Sequence, residues 1–277
     1  MKKYSLLFLA AVLVFSCNDQ NKRARAYLER AQIYFENKEY ASAKSTLDSI
    51  KIVYPKALEV QKESLRLFRQ VELEEQERNL IYCDSMLVVR LGEVEKMKPD
   101  FLFEKDPEYD EVGKYMDKQQ KIENNLRKSY LRIWTNELGD LFMASVYYGS
   151  GALKHDRLKV SRPDGEFSET KAVPYDGGLN YRFADFGMTT EVVTYSRDSE
   201  HGTILFIYDN KDQSLKAEYS GERKYVLPIS KADKNALVKT VDFSAVLSDI
   251  ESLKKEKEKA EKRIEYLKTK LNENDAP

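Results

Sequence analysis

"FSAVLSDIESLKKEKEKAEKRIEYLKTKL", residues 243–271, carries the most regular pattern in the chain, and the rest of the fold is read outward from it. Phe243, Val246, Ile250, Leu253, Lys257, Ala260, Ile264, Leu267 and Leu271 follow alternating steps of three and four. That spacing is a heptad seam with one lysine interrupting it, and it predicts a single helix over 230–272. Glu251 with Lys255, and Glu258 with Lys262, form well-oriented i,i+4 pairs along its flanks. Such a seam cannot bury itself, so it requires a partner helix. The partner is either a long helix of the same chain, the preferred reading, or a second copy of the chain in a homodimer.

The internal partner is visible upstream. No proline or glycine occurs between Lys56 and Leu91, and Leu73, Leu80, Leu87 and Val94 recur at seven-residue steps. One helix over Ala57–Met97 follows, about 60 Å long at 1.5 Å per residue. The connector "KPDFLFEKDPEYD", residues 98–110, contains two prolines that stop it. Phe101, Leu102 and Phe103 in the connector are expected to tuck into the core. Val112, Tyr115, Ile122, Leu126 and Ile133 then predict a further amphipathic helix from Asp110 to Leu138.

The first helical segment, Ala26 to Pro55, carries Tyr27, Ala31 and Tyr34, then Tyr40, Ala43, Leu47 and Ile50, with Pro55 as a stop. It resembles a tetratricopeptide repeat, in which small residues let two antiparallel helices approach closely while tyrosines fill the space beside them. Arg30 stands where that family has leucine, and Lys38 stands at its interhelical glycine. One repeat cannot bury its apolar face alone, so the resemblance implies docking on the next helix.

Nine of the eleven glycines lie between Gly139 and Gly221, which marks the middle of the chain as strand and turn. Strands are predicted at Leu141–Tyr148, Arg157–Ser161, Tyr181–Phe186, Glu191–Ser196, Thr203–Tyr208, Ser214–Tyr219 and Arg223–Leu227. "GTILFIYDN", residues 202–210, reads as the central one. The expected class is α+β: a TPR-like helix pair with long helices, a central antiparallel β-sandwich-like domain, and a C-terminal coiled-coil helix.

At the other end, Lys2 and Lys3 precede the apolar run Ser5–Phe15, which is too short to span a membrane and reads as a signal peptide over 1–16. "LVFSC", residues 13–17, resembles the lipobox of bacterial lipoproteins. The resemblance implies that Cys17 is acylated and becomes the new N-terminus, and two or three acyl chains anchor a protein stably. The polar "NDQNK" that follows lacks an acidic cluster, so the expected location is the outer membrane, facing the periplasm. The expected domains are therefore 1–16 signal peptide, 17–25 lipidated linker, 26–138 TPR-like and long-helix domain, 139–229 β domain, 230–272 heptad helix and 273–277 tail.

Signals for chemistry are sparse. Removing Lys2 and Lys3 from the 46 basic residues leaves 44 against 47 acids, a net charge of −3 with nothing to suggest nucleic acid. After Cys17, only Cys83 remains, so no internal disulfide can form, and its apolar neighbours mark it as a packing residue. His155 and His201 are far apart beside turn-like sequence and are expected on exposed loops, so neither a metal site nor a cofactor is expected. No Gly-x-Ser-x-Gly elbow or glycine-rich phosphate loop occurs. The protein is accordingly read as a non-catalytic interaction or scaffold lipoprotein of the cell envelope, a helical rod presenting a β-rich head, with a glycan- or peptidoglycan-binding lipoprotein as the alternative and an envelope hydrolase behind it. Tyr147, Tyr148, Tyr175 and Tyr181 are the candidate binding surface, for a protein partner first and for a glycan second. Trp134 is expected to anchor the packing between helix and sheet.

Overall fold

The computed structural model describes residues 20–273; the segment expected to be a signal peptide, Cys17 and the final residues lie outside them. The fold is α+β: helices at the N-terminal end, a central region of antiparallel sheets, and a long C-terminal helix. The described chain divides into two units, residues 20–86 with 253–273, and residues 87–252.

The first unit contains α1 (20–36), α2 (Tyr40–Val53), the start of α3 (Leu58–Met97) and the end of α6 (Lys231–Glu273). Residues 20–25 belong to α1, so the expected linker over 17–25 is helical from residue 20 onward. Ala31 and Ala43 are wholly buried between the first two helices, with Leu47, Ile50, Val60 and Val71 completing the core and Tyr27 and Tyr34 packed beside it. The amides of Lys38 and Glu39 return to the carbonyls of Phe35 and Tyr34, the Schellman arrangement that ends α1. It places Lys38 at φ 62°, a left-handed position where a glycine is less strained. From α6, Ala260, Ile264 and Leu267 are buried. Arg263 grips Glu72 of α3 through two hydrogen bonds of 2.7 and 2.8 Å, and Lys257, the interruption in the seam, reaches Asp84 at 2.6 Å. Partner numbers rise on α3 as they fall on α6, so the two helices are antiparallel and the seam closes within the chain. Cys83 is buried beside this seam, and burial pushes its thiol up.

The second unit holds two antiparallel sheets. Ten strands are named here in order: β1 (Phe101–Glu104), β2 (Lys114–Asp117), β3 (Tyr130–Asn136), β4 (Leu141–Gly149), β5 (Arg157–Ser161), β6 (Phe167–Glu169), β7 (Asn180–Asp185), β8 (Met188–Tyr195), β9 (Lys216–Ser220) and β10 (Lys224–Pro228). The larger sheet has the order β1-β2-β3-β4-β8-β7 and the smaller β10-β9-β5-β6. They share one core, with Leu131, Met143, Val193 and Tyr195 facing Leu158, Val160, Ala217 and Tyr219. Val94, Phe101, Phe243, Leu247 and Ile250 form a second cluster, in which Phe101 and Phe243 stack at 4.5 Å. The rest of the seam follows the same inward face: Ile250 is buried, and Val246, Leu253 and Leu271 are half-buried.

Three sequence expectations are corrected. The helix expected over Asp110–Leu138 is absent: the segment forms β2, two single 3-10 turns and β3, so the β domain begins at Phe101 rather than at residue 139. Cross-strand pairing wins there, because Leu131, Ile133 and Thr135 are buried and alternate with half-buried Arg132, Trp134 and Asn136 along β3. Residues Thr203–Tyr208 are helical, not a strand: α4 (Arg197–Glu200) precedes α5 (Thr203–Asp209), whose start is set by Gly202 at φ 82°. Ile204 and Ile207 then reach the shared core one helical turn apart while Leu205 faces out. Trp134 is not an anchor between helix and sheet. It lies on the outer face of β3, stacked on Phe142 at 5.6 Å.

Candidate functional site

The larger sheet presents two chemically different faces, and each gathers residues that a functional reading must weigh. On the inner face, β4 and β8 place Ser145, Glu191 and Tyr195 toward the smaller sheet, where the 150–155 loop lays His155 among them. Ser145 Oγ lies 2.9 Å from His155 Nε2, and His155 Nδ1 lies 2.8 Å from Glu191 Oε2. Tyr195 shares the Ser145 hydroxyl at 3.2 Å, and Tyr219 stacks on the imidazole at 5.2 Å. Glu191 also accepts the backbone amides of Leu153, Lys154 and His155. Burial pushes its carboxyl up, but the hydrogen bonds from His155 and those amides outweigh this and hold it down at about 2.

The spacing of serine, histidine and acid is that of a hydrolase relay. Ser145, His155 and Glu191 have relative exposures of 0%, 1% and 2%, however, so the cluster is closed off from solvent. The constellation is a structural clamp that fastens the 150–155 loop to the sheet. The expectation that His155 sits on an exposed loop is therefore corrected: the carboxylate of Glu191 makes its burial affordable. His201 is exposed, at the left-handed end of α4.

On the outer face, strand register builds a trough of about 490 Å³. One row across the sheet reads Tyr130, Val146, Val192, Tyr181, and the next reads Tyr148, Thr190, Phe183. Small and β-branched side chains thus form the floor, with rings to either side. Ile122, Leu126, Arg127 and Lys128 form one wall, and Arg132 lies at one end with its guanidinium 5.4 Å over the Trp134 ring. The β7–β8 hairpin closes the rim through Phe186 and Gly187, whose φ values of 47° and 77° make a type I′ turn. Phe186 is 93% exposed there. Burial pushes the phenol of Tyr130, at the β3 end of that row, up.

Of the four candidate tyrosines, Tyr148 and Tyr181 lie in this trough together. Tyr147 does not: it is buried on the inner face against Tyr225, because neighbours along a strand point to opposite faces. Tyr175 is exposed outside the trough, under the Arg182 guanidinium at 4.4 Å. Sequence reasoning missed Tyr130, Arg132 and Phe183, although Tyr130-x-Arg132-x-Trp134 is a period-two pattern that announces a strand face. Among the described residues no group of three or more His, Cys, Asp or Glu side chains is placed to hold a metal ion, and no helix is long and apolar enough to cross a membrane.

No family model matches the chain, and neither a curated protein nor a solved structure matches it.

Proposed function

We propose that the protein is a cell-envelope lipoprotein, anchored through Cys17 in the outer membrane and facing the periplasm, that acts without catalysis by docking a protein partner. The observation that supports the docking role is the trough with its exposed apolar rim, Ile122 and Leu126 on one side and Phe183 and Phe186 on the other, around a floor where Val146 and Val192 are buried. Tyrosine and phenylalanine at such a face are the side chains that carry binding energy in protein interfaces. The lipobox resemblance supports the anchor.

A glycan is the second reading, favoured by the flat rings of Tyr148 and Tyr181 beside the charged groups of Arg132 and Asp185. A photoreactive amino acid at Thr190, in cells carrying the lipidated chain, separates the two. Reproducible cross-links to one envelope protein, lost on Tyr148→Glu, support protein docking. Cross-links to carbohydrate alone support the glycan reading, and the absence of both sinks the trough as a binding site. Palmitate incorporation lost on Cys17→Ala tests the anchor, and unchanged labelling removes it.

A further inference from the structure

We infer that the trough on the outer face of the larger sheet receives one amphipathic α-helix whose apolar stripe is flanked by acidic side chains. The inference rests on the reading of this face as the partner's docking surface and names what the partner brings to it.

Width comes first. Tyr130 on β3 and Tyr181 on β7 end the same row, with β4 and β8 between them. Three strand spacings separate the two sides of the trough at the backbone, about 14 Å. An α-helix with its side chains is about 10–12 Å across and fills such a channel, whereas a single extended chain leaves most of it empty. Val146 and Val192 are buried at the floor and Tyr130 is buried beside them, so the apolar surface on offer stands at the two sides, Ile122 and Leu126 near β3 and Phe183 and Phe186 at β7, where a helix seated between them meets both.

Backbone hydrogen bonding comes second. The trough lies on the face of the sheet, and β3, β4 and β8 are each paired on both sides. Their amides and carbonyls are already used, so the floor offers an extended peptide no ladder to join. A helix satisfies its own backbone and needs only an apolar surface. Layer logic agrees: an apolar sheet face is ordinarily covered by a helix or a second sheet. The inner face has such a cover; on the outer face Ala144, Val146 and Val192 are buried, while Ile122, Leu126, Phe183 and Phe186 stay exposed.

Charge decides the flanks. Arg127, Lys128 and Arg132 line the trough against one carboxylate, Asp185. Arg132 is held in place by its stacking on Trp134, and Arg127 and Lys128 are exposed on the wall. Carboxylates along both edges of an incoming helix would meet these cations, an arrangement that sets orientation and partner choice more than affinity.

The test uses the unlipidated chain from residue 18 and reads the fluorescence of Trp134, the one tryptophan, whose ring lies under the guanidinium of the trough residue Arg132. Three synthetic peptides of about five helical turns share one apolar stripe. One has glutamate flanks, one has lysine flanks, and one is the glutamate peptide interrupted by a central proline. The glutamate helix should bind saturably, and the lysine and proline versions at least about tenfold more weakly. Arg127→Glu with Lys128→Glu, both on exposed positions, should reverse the flank preference, and Tyr148→Glu should remove binding by all three. Equal binding of acidic and basic helices, undiminished binding of the proline peptide, or binding to phosphatidylglycerol vesicles with no response to peptides would each overturn the inference. If the peptides fail while the Thr190 cross-link to an envelope protein persists, only the helical, acidic partner is lost. If both fail, the docking surface itself is wrong.

Discussion

The inner and outer faces of the larger sheet are made by the same strands, yet they place their polar and apolar groups in opposite ways. Inside, Ser145, His155, Glu191 and Tyr195 are polar, buried and fully engaged with one another. Outside, Phe183, Phe186, Ile122 and Leu126 are apolar and exposed. A reader of motifs would assign the chemistry to the first set, since it has a hydrolase-like spacing. Physical accounting points the other way. A polar cluster with every partner inside the protein has nothing left to offer a ligand, whereas an uncovered apolar face retains free energy that a partner can release.

The strongest way to break this comparison is Glu191→Ala. It strands three backbone amides and the His155 ring in a sealed site, so stability should fall by about 3–5 kcal/mol in urea unfolding. A fall below about 1 kcal/mol would mean the clamp is not structural. Acid gives the same test without mutation. The Glu191 carboxyl is held below its unfolded value, so its stabilisation is present above the ordinary glutamate range and is lost as pH falls from there through about 2. Urea midpoints of the parent should drop across that window, and those of Glu191→Gln should drop less.

Next in size is Ser145→Ala, which leaves His155 Nε2 and the Tyr195 hydroxyl without their shared partner and should cost about 1–3 kcal/mol. The same residue tests the sealed reading. A fluorophosphonate probe should leave the folded chain unlabelled, and stoichiometric labelling lost in Ser145→Ala would restore the relay as an enzyme site.

The legibility of the two faces in the sequence differs for a physical reason. The heptad from Val246 to Leu271, the long helix upstream and most strands between Leu141 and Leu227 follow from local periodicity, and the structure has them at nearly the expected bounds. The outer trough is half legible: the sequence singles out Tyr148 and Tyr181, but their partners Tyr130 and Arg132 sit in a segment whose apolar spacing also fits a helix. Only pairing with β4 resolves that ambiguity, and pairing is not local. The clamp was invisible altogether, since Ser145, His155 and Glu191 are brought together by register and by a loop that crosses back. The strand expected at Thr203–Tyr208 fails for a related cause: its β-branched residues favour a strand, and burial of Ile204 and Ile207 on a helix overrides the propensity.

The smallest expected effect is the one that sharpens the comparison most. Phe186 occupies the first position of a type I′ turn at φ 47°, a conformation that asparagine tolerates far better than an aromatic residue. Its ring gains nothing in compensation from the fold, being almost wholly exposed. Phe186→Asn should therefore raise stability by about 0.5–1 kcal/mol, read as a higher urea midpoint at unchanged slope. The same change removes the ring at the rim of the trough and should weaken partner binding. Strain and exposure at one residue, each unfavourable to folding, are expected where a side chain is kept for contact rather than for stability. A variant that gained stability and bound as well as the parent would show that the rim is incidental. A variant that lost stability would show that Phe186 packs in solution, and the outer face would then be less open than its register implies.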